Sequence, residues 1–198
     1  MPFNKLEAQK AVGFHKYKEG SEKPTGDFYA TPEIAVIKLL ERSTFSQPIL
    51  EPCCGNGAIS RVLEANNYQV ISRDLYDWGY GEPNRDFLSD PIIDVGAVVT
   101  NPPFSYALEF TEKSMLCTQK NCGRVAILNR IQWLEGVKRY KFFIENRLAK
   151  VFVFTRRIPR MHRYDFTGKP GTSLLCFAWF IFDWKHEKGF SPELGWLI

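Results

Sequence analysis

Apolar positions along the chain alternate between short continuous runs and segments with helical spacing. The runs are Ile49-Leu50, Tyr68–Ser72, the stretch Ile92, Ile93, Val95, Ala97, Val98 and Val99, then Arg124–Asn129 (RVAILN), Lys150–Thr155 and Leu174–Trp184. Their length and β-branched or aromatic content predict buried strands. Between them lie four segments with helical period. The first follows Thr31-Pro32 and carries Ile34, Ile37 and Leu40 on one face, widened by Val36. Thr31 suits an N-cap, Pro32 the first helical position, and Glu33 complements the dipole. The second carries Ile59, Val62 and Leu63; the third, capped by Ser105, carries Ala107, Leu108, Phe110 and Leu116; the fourth carries Trp133, Val137, Tyr140 and Ile144. Strand and helix in alternation predict a doubly wound, mostly parallel α/β sheet with its ligand at the carboxyl ends of the first strands.

Composition changes this picture little. A chain of 198 residues is the size of one domain, and a net charge of +4 permits a polyanionic partner without demanding one. No signal-peptide segment stands near Met1, and the longest apolar run, Leu174–Phe182, is too short to span a bilayer. Cys53, Cys54, Cys117, Cys122 and Cys176 are odd in number and contain no CxxC pair. Reduced thiols in a cytoplasmic protein, without a metal, are the expectation. Residues 1–26 are polar and lysine-rich and read as a flexible arm, leaving 27–198 as the single domain.

Candidate chemistry clusters where strands end. Asn101-Pro102-Pro103-Phe104 follows an apolar run, and its two prolines make a rigid extended corner. The Asn101 side-chain oxygen and the Pro102 carbonyl can each accept a hydrogen from a planar amine, and Phe104 can stack on its ring. An ordinary Asn-Pro turn uses the same residues. Upstream, Ile49-Leu50 runs into Glu51-Pro52-Cys53-Cys54-Gly55-Asn56-Gly57 and a helix, the parts of a nucleotide crevice. Ser60 stands at the third glycine position of the dinucleotide pattern, and no P-loop lysine follows. Glu51 would repel a pyrophosphate but accept from an ammonium, which favours a zwitterionic ligand over NAD. Asp74, after the second strand, is placed for ribose hydroxyls. Asp86 can take a purine amino group with Phe87 lining its face; a turn or cap role fits Asp86 nearly as well.

Asp-Phe-Tyr-x-Thr-Pro at 27–32, Leu-Glu-Pro-x-x-Gly-x-Gly at 50–57, an acidic strand end, Asp-Phe at 86–87 and Asn-Pro-Pro-Phe at 101–104 occur in that order. In this the chain resembles class I S-adenosylmethionine-dependent methyltransferases, and within them the small phage-type enzymes that methylate DNA adenine at N6. The resemblance implies a seven-stranded Rossmann-like sheet closed by an antiparallel pair. It implies S-adenosylmethionine as cofactor, with Tyr29, Thr31, Pro32, Glu51 and Gly55 about its methionine end and Pro52 and Gly57 also in its binding site. Asp74 would take its ribose, and Asp86 with Phe87 its adenine. Asn101, Pro102, Pro103 and Phe104 would receive the target base.

Larger members of that group carry a separate target-recognition domain, for which this chain has no room. The spare material is the lysine arm and the loop Arg156–Thr172, which holds Arg156, Arg157, Arg160, Arg163 and Lys169 against Asp165, with Met161, Tyr164 and Phe166 interleaved. Basic residues among apolar wedges suit backbone contact and base displacement. DNA is the expected partner. RNA adenine, cytosine N4 and protein glutamine offer the same planar NH2, and a catalytically silent nucleic-acid-binding subunit is a further alternative.

Overall fold

The computed structural model describes residues 29–158 and 175–198. The lysine arm, Asp27, Phe28, Arg160, Arg163 and Lys169 lie outside the described residues.

Seven strands form one sheet: β1 (Ile49–Glu51), β2 (Val70–Ser72), β3 (Ala97–Thr100), β4 (Arg124–Arg130), β5 (Leu148–Phe154), β6 (Phe177–Asp183) and β7 (Glu193–Leu197), in spatial order β2-β1-β3-β4-β6-β5-β7. Only β6 runs against its neighbours, pairing antiparallel with both β4 and β5. Thus β1, β3, β4 and β5 all end on one rim, and β6 begins there. Among the described residues four helices cover the sheet: α1 (Glu33–Leu40), α2 (Ala58–Ala65), α3 (Ala107–Thr118) and α4 (Val137–Glu145). Alternation along each strand divides the core in two. Ala97, Val99, Ala126, Leu128, Trp179 and Ile181 face α1 and α2, while Val98, Val125, Ile127, Phe180 and Phe182 face α3 and α4. The architecture is the expected doubly wound sheet, with β5 and β6 as the antiparallel pair and β7 added parallel to β5.

Three helices present faces other than the expected ones. In α1 the buried residues are Ala35, Val36 and Leu39, and Ile34 is exposed. The Trp179 indole donates to the Ala35 carbonyl at 2.8 Å, which fixes that rotation from the middle of the sheet. Pro32 is the N-cap and makes no side-chain bond, so Thr31 does not cap the helix. In α3 Ala107 and Phe110 are buried as expected, but they share the core face with Met115, Cys117, Thr111, Ser114 and Thr118, and Leu116 is exposed. The Thr111 and Thr118 hydroxyls donate to the Ala107 and Ser114 carbonyls, so these two threonines are buried with their hydroxyls satisfied. Ser105 lies in a 3-10 turn (Phe104–Tyr106) ahead of that helix and makes no capping bond. In α4 the adjacent Phe142 and Phe143 are buried, and Val137 and Tyr140 are exposed. Both rings pack against Trp133, which sits in the preceding 3-10 turn and not in the helix.

Candidate active site

At the carboxyl end of β1 the chain turns through Gly55 and Gly57, at φ of 53° and 81°. Glycine takes these angles without the steric cost that a Cβ brings. The Asp74 carboxylate ties this turn to the end of β2. It accepts the Gly55 N–H at 2.8 Å on one oxygen, and the Tyr76 N–H at 2.9 Å and the Trp78 indole at 3.1 Å on the other. Burial raises its pKa, with those hydrogen bonds pulling the other way. Asp74 therefore first organises the glycine turn. A carboxylate has roughly four acceptor sites, which leaves room for a ribose hydroxyl beside the three donors.

Glu51, at the last position of β1, is 1% exposed. It accepts a hydrogen bond from the Ser60 hydroxyl, and Ser60 in turn accepts from Ser72 at 2.7 Å. Burial pushes the Glu51 carboxyl well above the ordinary range, against the bonds from Ser60. The serine at the third glycine position is thus the partner that lets an acid be buried here. The segment from Asp74 to Glu82 closes on itself through Asp74 N–H to the Glu82 carbonyl and Glu82 N–H to the Ser72 carbonyl, with Arg73 and Glu82 paired at 2.9 Å. It lays the Tyr80 ring on Gly57, where an added Cβ would sit 2.5 Å from the ring. The Tyr80 hydroxyl donates to Glu64, and Arg61 lies over its face at 4.5 Å.

A groove beside the glycine turn has Leu50, Pro52, Phe87 and Ile93 as apolar walls and the Arg85–Asp90 ion pair, at 2.8 Å, as its polar edge. Phe87 is nearly buried and packs on Phe110 at 5.1 Å. Asp86 is a turn residue whose carboxylate accepts from the Leu88 N–H and the Ser89 hydroxyl.

The prolyl corner follows β3 on the same rim. Asn101 Nδ2 donates to Thr31 Oγ1 at 3.0 Å, joining residues 70 positions apart. This orients the amide so that its oxygen points away from Thr31. Cys53 Sγ lies 2.8 Å from Thr100 Oγ1 and 3.6 Å from the Asn101 carbonyl, linking the glycine turn to the corner. Burial raises the Cys53 thiol well above its usual value and pushes Cys54 up to about 12, so both sit as neutral thiols. Phe104 packs on Phe177 at 5.9 Å, and the Arg130 guanidinium lies 4.6 Å over its ring. Tyr29 is more than a third exposed. Arg156 and Arg157 are exposed just beyond β5, on the rim that holds Asn101.

So the sequence-derived residues Thr31, Glu51, Gly55, Gly57, Asp74 and Asn101 do converge at the carboxyl ends of β1 and β3. Ser60, Tyr80, Cys53 and Arg130 were not anticipated as members of the site. Ser60 alone left a signal, as the departure from the glycine pattern. Among the described residues no group of His, Cys, Asp and Glu is arranged to hold a metal ion, and no helix is long and apolar enough to cross a membrane.

A strand–glycine turn–helix crevice beside a prolyl corner, on a sheet reversed only by β6, defines the class I methyltransferase fold. Solved structures share it. The modification subunit of a candidate type I restriction enzyme from Vibrio vulnificus superposes with a TM-score of 0.53 at 15% identity, over 95% of this chain and 48% of that one. The methyltransferase subunit of a type I restriction-modification system from Streptococcus thermophilus gives 0.56 at 14%, over 78% and 44%. A candidate RNA methyltransferase from Pyrococcus horikoshii gives 0.54 at 15%, over 91% and 98%. The chain spans about half the length of the two bacterial subunits. No known family's sequence profile matches the chain, and no curated protein matches it.

Proposed function

We propose that this chain is an S-adenosylmethionine-dependent N-methyltransferase whose target is adenine N6 in DNA. The observation that carries the reading is the Asn101 amide, fixed by Thr31 beside Pro102 and Phe104 and joined through Cys53 to the glycine turn. In this reading each part of the cofactor has a partner in the crevice. Glu51 is a buried carboxyl with a hydroxyl donor and would take an ammonium, with Gly55 and Pro52 bordering it; Leu50, Phe87 and Ile93 line a narrow apolar groove that would have to widen to receive the purine ring. Tyr29, Thr31 and Pro32 stand at its edge. The space over Gly57 is filled by Tyr80, so that glycine serves loop packing as well as ligand approach.

Bound S-adenosylmethionine supplies an electrophilic methyl group on a sulfonium. The residues of the chain then prepare the target. Adenine's amine is a weak nucleophile because its lone pair is delocalised into the ring. Acceptors at Asn101 Oδ1 and the Pro102 carbonyl hold its two hydrogens, localise the lone pair and aim it. Orientation of this kind is worth several kcal/mol of a barrier. The nitrogen is strongly acidic once it carries four bonds, so the proton leaves without a dedicated histidine or glutamate base. A target in duplex DNA must leave the stack, at a cost of a few kcal/mol. The basic segment that begins at Arg156 and Arg157, continued by Arg160, Arg163 and Lys169, is the proposed source of the backbone contacts that offset it.

The similarity of the fold to two DNA modification subunits supports nucleic acid as substrate. Labelled methyl transfer from S-adenosylmethionine to DNA, RNA and bulk protein, run side by side, tests the reading. Label in DNA at adenine is the expected result. Label confined to RNA or protein replaces the substrate and keeps the chemistry. No transfer to any of them, with ligand binding intact, favours a silent nucleic-acid-binding subunit.

A further inference from the structure

We infer that Arg130 is a positioning residue of the target slot, a placeholder on Phe104 that phosphate must draw away before a planar base can stack there. This rests on the nucleic-acid reading of the same site. Arg130 is the last residue of β4 and pairs with Phe177 on β6. Its backbone N–H is held by the Asn129 side-chain oxygen at 2.7 Å, so the main chain is fixed while the side chain is exposed. The guanidinium lies 4.6 Å from the Phe104 ring centre. Phe177 supports the same ring from the core. An aromatic plane slipped between guanidinium and ring would need a separation of about 7 Å, two contacts of roughly 3.5 Å. Cation and base therefore compete for one face.

Charge decides when each should hold it. The target nitrogen becomes positive as it forms its fourth bond. The negative face of an aromatic ring favours that charge, and a guanidinium a few ångströms away opposes it. Arg130 must leave for the reaction to proceed well. A planar amine without phosphate has nothing to pull it off. A polynucleotide does, because Arg130 shares its rim with Arg156 and Arg157, and phosphate is the guanidinium's natural bidentate partner. The contact thus biases the slot toward bases that arrive on a phosphate backbone.

Equilibrium binding without cofactor tests this, using adenosine and a single-stranded oligodeoxyadenylate with wild type, Arg130→Ala and Arg130→Met. Arg130→Met keeps the apolar stem should the alanine variant fold poorly. The two ligands should move in opposite directions. Adenosine should bind the variants about two- to fivefold more tightly, the worth of an exposed cation–π contact removed. The oligonucleotide should bind them more weakly, with a log affinity–log salt slope shallower by about 0.7. Weakening of both ligands alike makes Arg130 a second wall of the slot and overturns the inference. So does indifference of both while the wild type binds the oligonucleotide. If no version binds the oligonucleotide at any salt, it is the nucleic-acid reading that falls, and this inference with it.

Discussion

The two halves of the site are built in opposite ways. On the proposed cofactor side, polar groups satisfy one another within a short stretch of chain. Ser60 and Ser72 serve Glu51, and Asp74 serves Gly55, Tyr76 and Trp78. On the proposed target side, Asn101 is oriented by a hydroxyl 70 residues away, and Phe104 is covered by an exposed cation. A self-satisfied network is rigid and intolerant of deletion, because each removed partner strands a buried group. An assembly of single long-range contacts can be altered without unfolding anything. Substitutions on the first side should therefore move stability and cofactor binding together, and on the second side target binding and activity with stability left nearly unchanged.

The largest effect expected on activity is at Asn101. Asn101→Ala should lower methyl transfer by about a hundredfold or more by misaligning the amine, with melting temperature nearly unchanged. The largest effect expected on stability is at Asp74. Asp74→Ala strands three donors and should cost about 2–4 kcal/mol in a denaturant titration. Were Asp74 purely a ribose ligand, its loss would leave the titration as in wild type, and the contrast between the halves would fail. Gly57→Val places a side chain at φ 81° against Tyr80 and should cost about 1–2 kcal/mol or more. It should also weaken the ligand-induced rise in melting temperature, whereas Tyr80→Ala should leave that rise in place.

Glu51 sharpens the comparison through pH. Its pKa is raised in the folded protein, so it contributes stability fully below its unfolded value of about 4.5 and loses it as pH rises through the raised value. An ammonium beside it favours the ionised form. S-adenosylmethionine affinity should therefore rise with pH across that same interval, and Glu51→Gln should bind more weakly with that rise abolished. Calorimetric titration at several pH values reads both. The smallest effect belongs to Phe104→Ala, which should reduce transfer by the worth of one stacking contact, about 1–3 kcal/mol, without touching cofactor binding.

The strands and the glycine turn were legible in the sequence because they are local: apolar runs of the right length, punctuated by Gly and Pro. The helix faces were read less well, for identifiable reasons. On α3 Thr111, Ser114 and Thr118 share the buried face with Ala107, Phe110 and Met115, and the two threonine hydroxyls bond back to the helix, so a hydrophobic pattern scores part of that face as polar. On α4 two adjacent phenylalanines reach one aromatic cluster around Trp133, breaking the expected period. Strand β7 buries only Gly195 and Leu197 and leaves Leu194 and Trp196 exposed on the sheet edge, too faint a signal to read. Within the site, residue types near each strand end were readable. The partnerships Thr31–Asn101 and Arg130–Phe104 were not, since nothing local to either residue encodes a contact across the sheet.

The most direct test of the central claim takes Asn101→Ala and wild type through two assays in parallel: thermal stabilisation by S-adenosylmethionine, and labelled methyl transfer to DNA. The account predicts equal stabilisation, about 2.7 kcal/mol at a ligand concentration a hundredfold above Kd, with transfer seen only in wild type. Full transfer by the variant, or loss of its stabilisation along with transfer, would contradict it.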